Sequence, residues 1–137
     1  MNRLNGIISN IEHNDSISLV DVSVESIVLS ATLLETPSSA SYLRIGAPVT
    51  LLFKETEVSL AKNLQGQLSL RNRIPANLLS IELGAILSAV TLQCFENKLV
   101  SVITTRAVKQ LNLNAGDMVE ALVKANEIAL MAGHHAD

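Results

Sequence analysis

The chain has 137 residues, 48% hydrophobic, 17% charged and only 2% aromatic, with a formal net charge of −3. This length holds one ordinary domain or two very small ones, and the apolar content excludes intrinsic disorder. The weakly acidic balance excludes a nucleic-acid binder held by a strong basic field, and a single cysteine, Cys94, excludes an intrachain disulfide or a cysteine-rich zinc site.

The opening residues, Met-Asn-Arg-Leu-Asn-Gly, lack the apolar run of a signal peptide. Glu, Lys, Asn or Asp interrupts every candidate stretch of about 20 apolar residues. The expectation is a soluble cytoplasmic protein with no membrane contact.

In chain order, strands are predicted at residues 4–11, 17–24 and 27–34. A short helix follows near 37–43, because Thr36-Pro37 is a good helix start. Strands at 49–54 and 57–60 complete the first half. Residues 61–68 form a polar joint with a Gly66 turn, too short for a free linker. The second half predicts strands at 73–81, 86–94 and 99–103. A short helix then starts at Thr104 or Thr105, with Ala107, Val108 and Leu111 at helical spacing. Strands at 118–124 and 127–131 end the series.

The two halves are one pattern written twice. Sliding the sequence over itself by 70 positions without a gap gives 14 identities in 67 pairs; this composition would give roughly six by chance. They include Asn2/Asn72, Glu12/Glu82, Gly46/Gly116, Lys54/Lys124 and Glu57/Glu127. The register survives every turn. The predicted fold is therefore all-β with one short helix per repeat, as tandem five-stranded barrels of oligonucleotide-binding type. The repeats span residues 1–62 and 67–132, and a flexible tail covers 133–137.

No chemistry-bearing motif points to an enzyme: there is no Gly-x-Ser-x-Gly, Walker loop or dinucleotide fingerprint, and the carboxylates are scattered. His134 and His135 are adjacent in the tail, which does not make a closed metal site. Four features of the second repeat remain: Ser69-Leu70-Arg71-Asn72, Gly84-Ala85, Thr104 and Lys124-Ala125-Asn126. Taken singly, each has a plain structural reading as surface charge, turn or helix cap. Together they offer cationic, hydroxyl and backbone N–H donors without an obligate acceptor, which suits a small deprotonated oxyanion.

In this order the pattern resembles the Mop domain of the TOBE group, and the tandem resembles a di-Mop molbindin over almost the whole chain. The resemblance implies binding of molybdate or tungstate for intracellular storage or homeostasis. It also implies sites between domains of an oligomer and a trimer of such chains. It assigns the oxyanion to Ser69, Arg71, Asn72, Thr104, Lys124, Ala125 and Asn126, with Lys54 retained in the first repeat and Gly84 and Ala85 as a second turn site. Where the family carries serines, this chain has Ala107 and Asn126; where the turn carries Asn, it has Leu87. The first repeat departs further. Only Asn2 remains of Ser-x-Arg-Asn, Leu34 replaces the threonine, Glu55 follows Lys54, and His13-Asn14-Asp15 replaces Gly-Ala. Those changes motivate an alternative, a ligand-degenerate regulatory or oligomerisation module of a molybdate-responsive system. A nucleic-acid-binding barrel would need aromatic stacking platforms, and only Tyr42, Phe53 and Phe95 are aromatic.

Overall fold

The computed structural model describes residues 1–133. The expected tail at 133–137 thus falls, beyond Gly133, outside the described residues. Repeat one supplies β1 (Asn2–His13), β2 (Ser18–Val24), β3 (Ile27–Leu33), β4 (Pro48–Phe53) and β5 (Ser59–Ala61). Repeat two supplies β6 (Arg73–Glu82), β7 (Leu87–Cys94), β8 (Asn97–Thr104), α1 (Thr105–Gln110), β9 (Met118–Leu122) and β10 (Ala129–Ala132).

Alternation fixes the face each strand buries. Leu4, Gly6 and Ile8 of β1 point inward while Arg3, Asn5 and Ile7 point out, and Ile74, Ala76 and Leu78 of β6 repeat the pattern. A bulge interrupts β1 between Ile8 and Asn10, and another interrupts β6 between Leu78 and Ser80. Such a bulge bends a strand and increases its twist, as a small curled sheet requires. At Gly6 an added Cβ would lie 2.5 Å from Val22 Cγ1 and 2.6 Å from the Ser23 carbonyl oxygen, so glycine permits this close approach of β1 to β2.

The strands form two five-stranded antiparallel sheets, in the orders β10-β4-β1-β2-β3 and β5-β9-β6-β7-β8. Each sheet takes its fifth strand from the other repeat. Ser59 of β5 pairs with Leu122 of β9, and Ala129 of β10 pairs with Leu52 of β4. Short 3-10 turns at Glu55–Glu57 and Ala125–Glu127 carry the chain across. One continuous apolar cluster joins both repeats, running from Leu4, Val20 and Phe53 to Ile74, Leu92 and Val123.

The architecture is the all-β tandem expected, with two local corrections. The predicted helix near 37–43 does not form; the segment is a series of turns. Ser39 and Ala40 N–H both donate to the Thr36 carbonyl, but the Ser39 hydroxyl accepts from the Thr36 N–H at 2.9 Å. Side chains that bond to nearby backbone compete with helix propagation, and Pro37-Ser38-Ser39 has little helix propensity to resist them. In repeat two the matching segment, Thr-Arg-Ala-Val-Lys-Gln, is built largely from good helix formers and is helical. The final strands start later than predicted, at Ser59 and Ala129, because the 3-10 turns occupy the preceding residues.

Candidate functional site

The chain leading into β6 and the turn following β9 meet at a cavity of about 580 Å³. Ser69, Arg71, Lys124 and Asn126 line it from repeat two, and Ser30 and Thr32 of β3 line it from repeat one. Of the residues predicted from the sequence, Ser69, Arg71, Lys124, Ala125 and Asn126 meet here, at the junction between repeats. Lys124 stands at the N-terminus of its 3-10 turn.

The four repeat-two side chains make no hydrogen bond or ion pair among the described residues. None of the residues lining the cavity is acidic. Two cations, a hydroxyl and an amide thus face one space with their donors unengaged. Such a donor-rich wall suits an anion, and hydrogen bonds to charged groups are the stronger ones. Leu19, Leu68, Leu70 and Ala125 complete the lining and lower the local polarity.

The remaining predicted residues lie elsewhere or are already engaged. Asn72 is buried; its Nδ2 donates to the Ser30 carbonyl at 2.8 Å and its Oδ1 accepts from the Ser30 N–H at 2.7 Å. Thr104 lines a separate hollow of about 350 Å³ with Ala85, Ile86 and Arg106. Its Oγ1 accepts from the Ala107 N–H at 3.1 Å, which is a helix cap. Gly84 accepts from Thr105 Oγ1 at 2.8 Å, and a Cβ there would meet the Leu87 carbonyl oxygen at 2.2 Å, so this turn demands glycine. Lys54 lines a third hollow, of about 210 Å³, with Met1, Glu57 and Glu127. Beside it Glu55 accepts from the Met1 ammonium at 2.5 Å. The sequence reading left out Ser30, Thr32 and Arg106.

A family model for the TOBE domain matches residues 1–60 and 68–130. The chain belongs to the TOBE domain family. As a tandem TOBE protein it is similar in structure to the cytoplasmic molybdate-binding protein ModG in a molybdate-bound crystal form. The TM-score is 0.89 and the identity 27%, over 96% of each chain. A molybdate-binding protein from Sporomusa ovata is 35% identical, covering 44% of this chain and 90% of its own, with a TM-score of 0.43. Among curated relatives, the molybdenum import ATP-binding protein ModC of Paramagnetospirillum magneticum is 38% identical over 90 residues, 65% of this chain. ModC of Brucella abortus is 37% identical over 78 residues, 56% of this chain. The matches span 25% and 22% of those two relatives, so this TOBE tandem corresponds to about a quarter of their length. No helix among the described residues is long and apolar enough to cross a membrane.

Proposed function

We propose that this tandem TOBE protein binds molybdate, through Ser69, Arg71, Lys124 and Asn126, with Ala125 and the surrounding turn holding them in place. The observation that carries this reading is the convergence of four unengaged donors on one cavity with no acidic lining. A doubly negative tetrahedral anion matches that wall, whereas a cation finds no carboxylate there. The likeness to ModG, described as molybdate-binding, supports the same ligand.

Micromolar affinity corresponds to about −8 kcal/mol. At roughly 1.5–3 kcal/mol for each bond to a charged group, four to six donors suffice if they are held in place beforehand. Asn72 then serves as a positioning residue, since its bonds to Ser30 tie the start of β6 to the edge of β3. Tungstate has the same charge and shape and enters the reading with molybdate. The proposal extends to a role in intracellular storage or homeostasis of the oxyanion, in the cytoplasm and without catalysis.

Assembly into a homotrimer, with Thr104 and the Gly84-Ala85 turn meeting the cavity of a neighbouring copy, extends the proposal. The exposed apolar surface beside Thr104 supports it: Ile86, which lines the same hollow, is 75% exposed. Isothermal titration with molybdate, tungstate and sulfate in parallel tests the reading. Arg71→Ala and Lys124→Ala are each expected to weaken molybdate binding about tenfold or more. Unchanged affinity in both variants removes these residues from the site.

A further inference from the structure

The tandem gives each edge strand a counterpart in the other sheet, and the surroundings of the two are not alike. In one sheet β3 is the edge strand, Asn72 docks on Ser30, and Ser30 and Thr32 line one cavity with Arg71 and Lys124. In the other sheet β8 is the edge strand and Asn2 docks on Val100, with Nδ2 donating to the Val100 carbonyl at 2.8 Å and Oδ1 accepting from its N–H at 2.9 Å. The same docking therefore holds at both edges. The residues matching Ser30 and Thr32, 70 positions on, are Val100 and Val102. The residue matching Ala125 is Glu55, a carboxylate beside Lys54.

Within β3, Thr32 differs from Ser30. Ser30 Oγ already donates to Asp21 Oδ1 at 2.6 Å. Thr32 makes no side-chain hydrogen bond among the described residues, and it lies opposite Leu19 on the half-buried face that lines the cavity. A hydroxyl that lines one cavity with two cations and has no protein partner is available to donate to an anion held there.

We infer that Thr32 is a further oxyanion-contacting residue, so that the site is built jointly by β3 of repeat one and the cationic loops of repeat two. Only one of the two edges carries it. The counterpart, with Val100 and Val102 on its strand and Glu55 on its turn, lacks the hydroxyl and carries a carboxylate where the first has Ala125. This deepens the molybdate reading and rests on it.

Titration calorimetry with sodium molybdate on the full chain tests the inference through Thr32→Val, Thr32→Ser and Val102→Thr. Thr32→Val keeps shape and strand propensity and removes only the hydroxyl; it is expected to weaken binding about tenfold, the order of one hydrogen bond to a charged group. Thr32→Ser is expected to restore most of the affinity, and Val102→Thr to leave it unchanged. Thermal melting of each variant shows that the fold persists. Wild-type affinity in Thr32→Val, with the native chain binding molybdate, overturns the inference and leaves the wider reading standing. A tightening in Val102→Thr overturns the asymmetry. A native chain that binds no molybdate overturns the reading and the inference with it.

Discussion

Asn2 and Asn72 do the same job in opposite directions: each clamps the backbone of an edge strand contributed by the other repeat. Asn72 holds the N–H and carbonyl of Ser30, and Asn2 those of Val100. An edge strand exposes a row of unpaired backbone groups, and a carboxamide is the one short side chain that can both donate to and accept from a single residue of it. Both asparagines are buried, so water is a poor substitute. Asn72→Ala leaves two backbone groups without partners and is expected to cost about 2–4 kcal/mol. Asn2→Ala should cost a similar amount, and the two should add because the clamps share no partner. Urea denaturation of both single variants and the double variant measures this. A loss below about 0.5 kcal/mol for Asn72→Ala would mean that Ser30 finds other partners.

The exchanged fifth strands make neither repeat self-sufficient. β5 finds its hydrogen-bond partners on β9 and β10 finds them on β4, while the core crosses the junction. A fragment of residues 1–66 keeps β5 but loses the strand that β5 pairs with and the one that β4 accepts. It is expected to be unfolded or to pair with a second copy by reciprocal exchange of β5. Mixing it with the complementary fragment should restore β structure. Circular dichroism with light scattering distinguishes these outcomes, and a folded monomer of 1–66 would show that each half closes on itself.

Much of this plan was legible in the sequence because it is written twice. Lys54/Lys124 and Glu57/Glu127 fix the register, and alternation in β1 and β6 fixes their inner faces. What stayed hidden depends on relations between distant segments. No local pattern tells whether β5 returns to its own sheet or crosses, since either route pairs the same residue types. Thr32 was illegible for that reason: it joins the site only once β3 of one repeat is set beside Arg71 of the other. Asn72 was read as a donor to ligand because it stands in a run with Ser69 and Arg71, yet its side chain turns inward to Ser30. The missing first-repeat helix reflects a local competition, serine and threonine hydroxyls against helical bonding, which Thr36-Pro37 concealed.

The exchange also brings together two carboxylates that lie 70 residues apart. Glu57 and Glu127 close equivalent 3-10 turns and line one hollow with Lys54 and the Met1 terminus. A hydrogen bond to Glu127 is the main cause that holds the Glu57 carboxyl above its ordinary 4.5; desolvation and the Glu127 charge raise it further, against a smaller opposing pull from Lys54. The folded state therefore keeps a proton that the unfolded chain releases. This stabilising contribution is complete below the ordinary glutamate range and is lost as pH rises through the raised value. Asp117 has the opposite sign. The Asn114 N–H and Lys62 lower its carboxyl, so its contribution is present above the ordinary aspartate range and is lost as pH falls. Glu57→Gln keeps a donor for Glu127 and removes the charge that must be neutralised. Its melting temperature should exceed that of the native chain in mildly alkaline buffer, and the advantage should shrink as the pH falls toward the ordinary glutamate range and native Glu57 takes up its proton. An equal difference at both pH values would show that the two carboxyls do not share a proton.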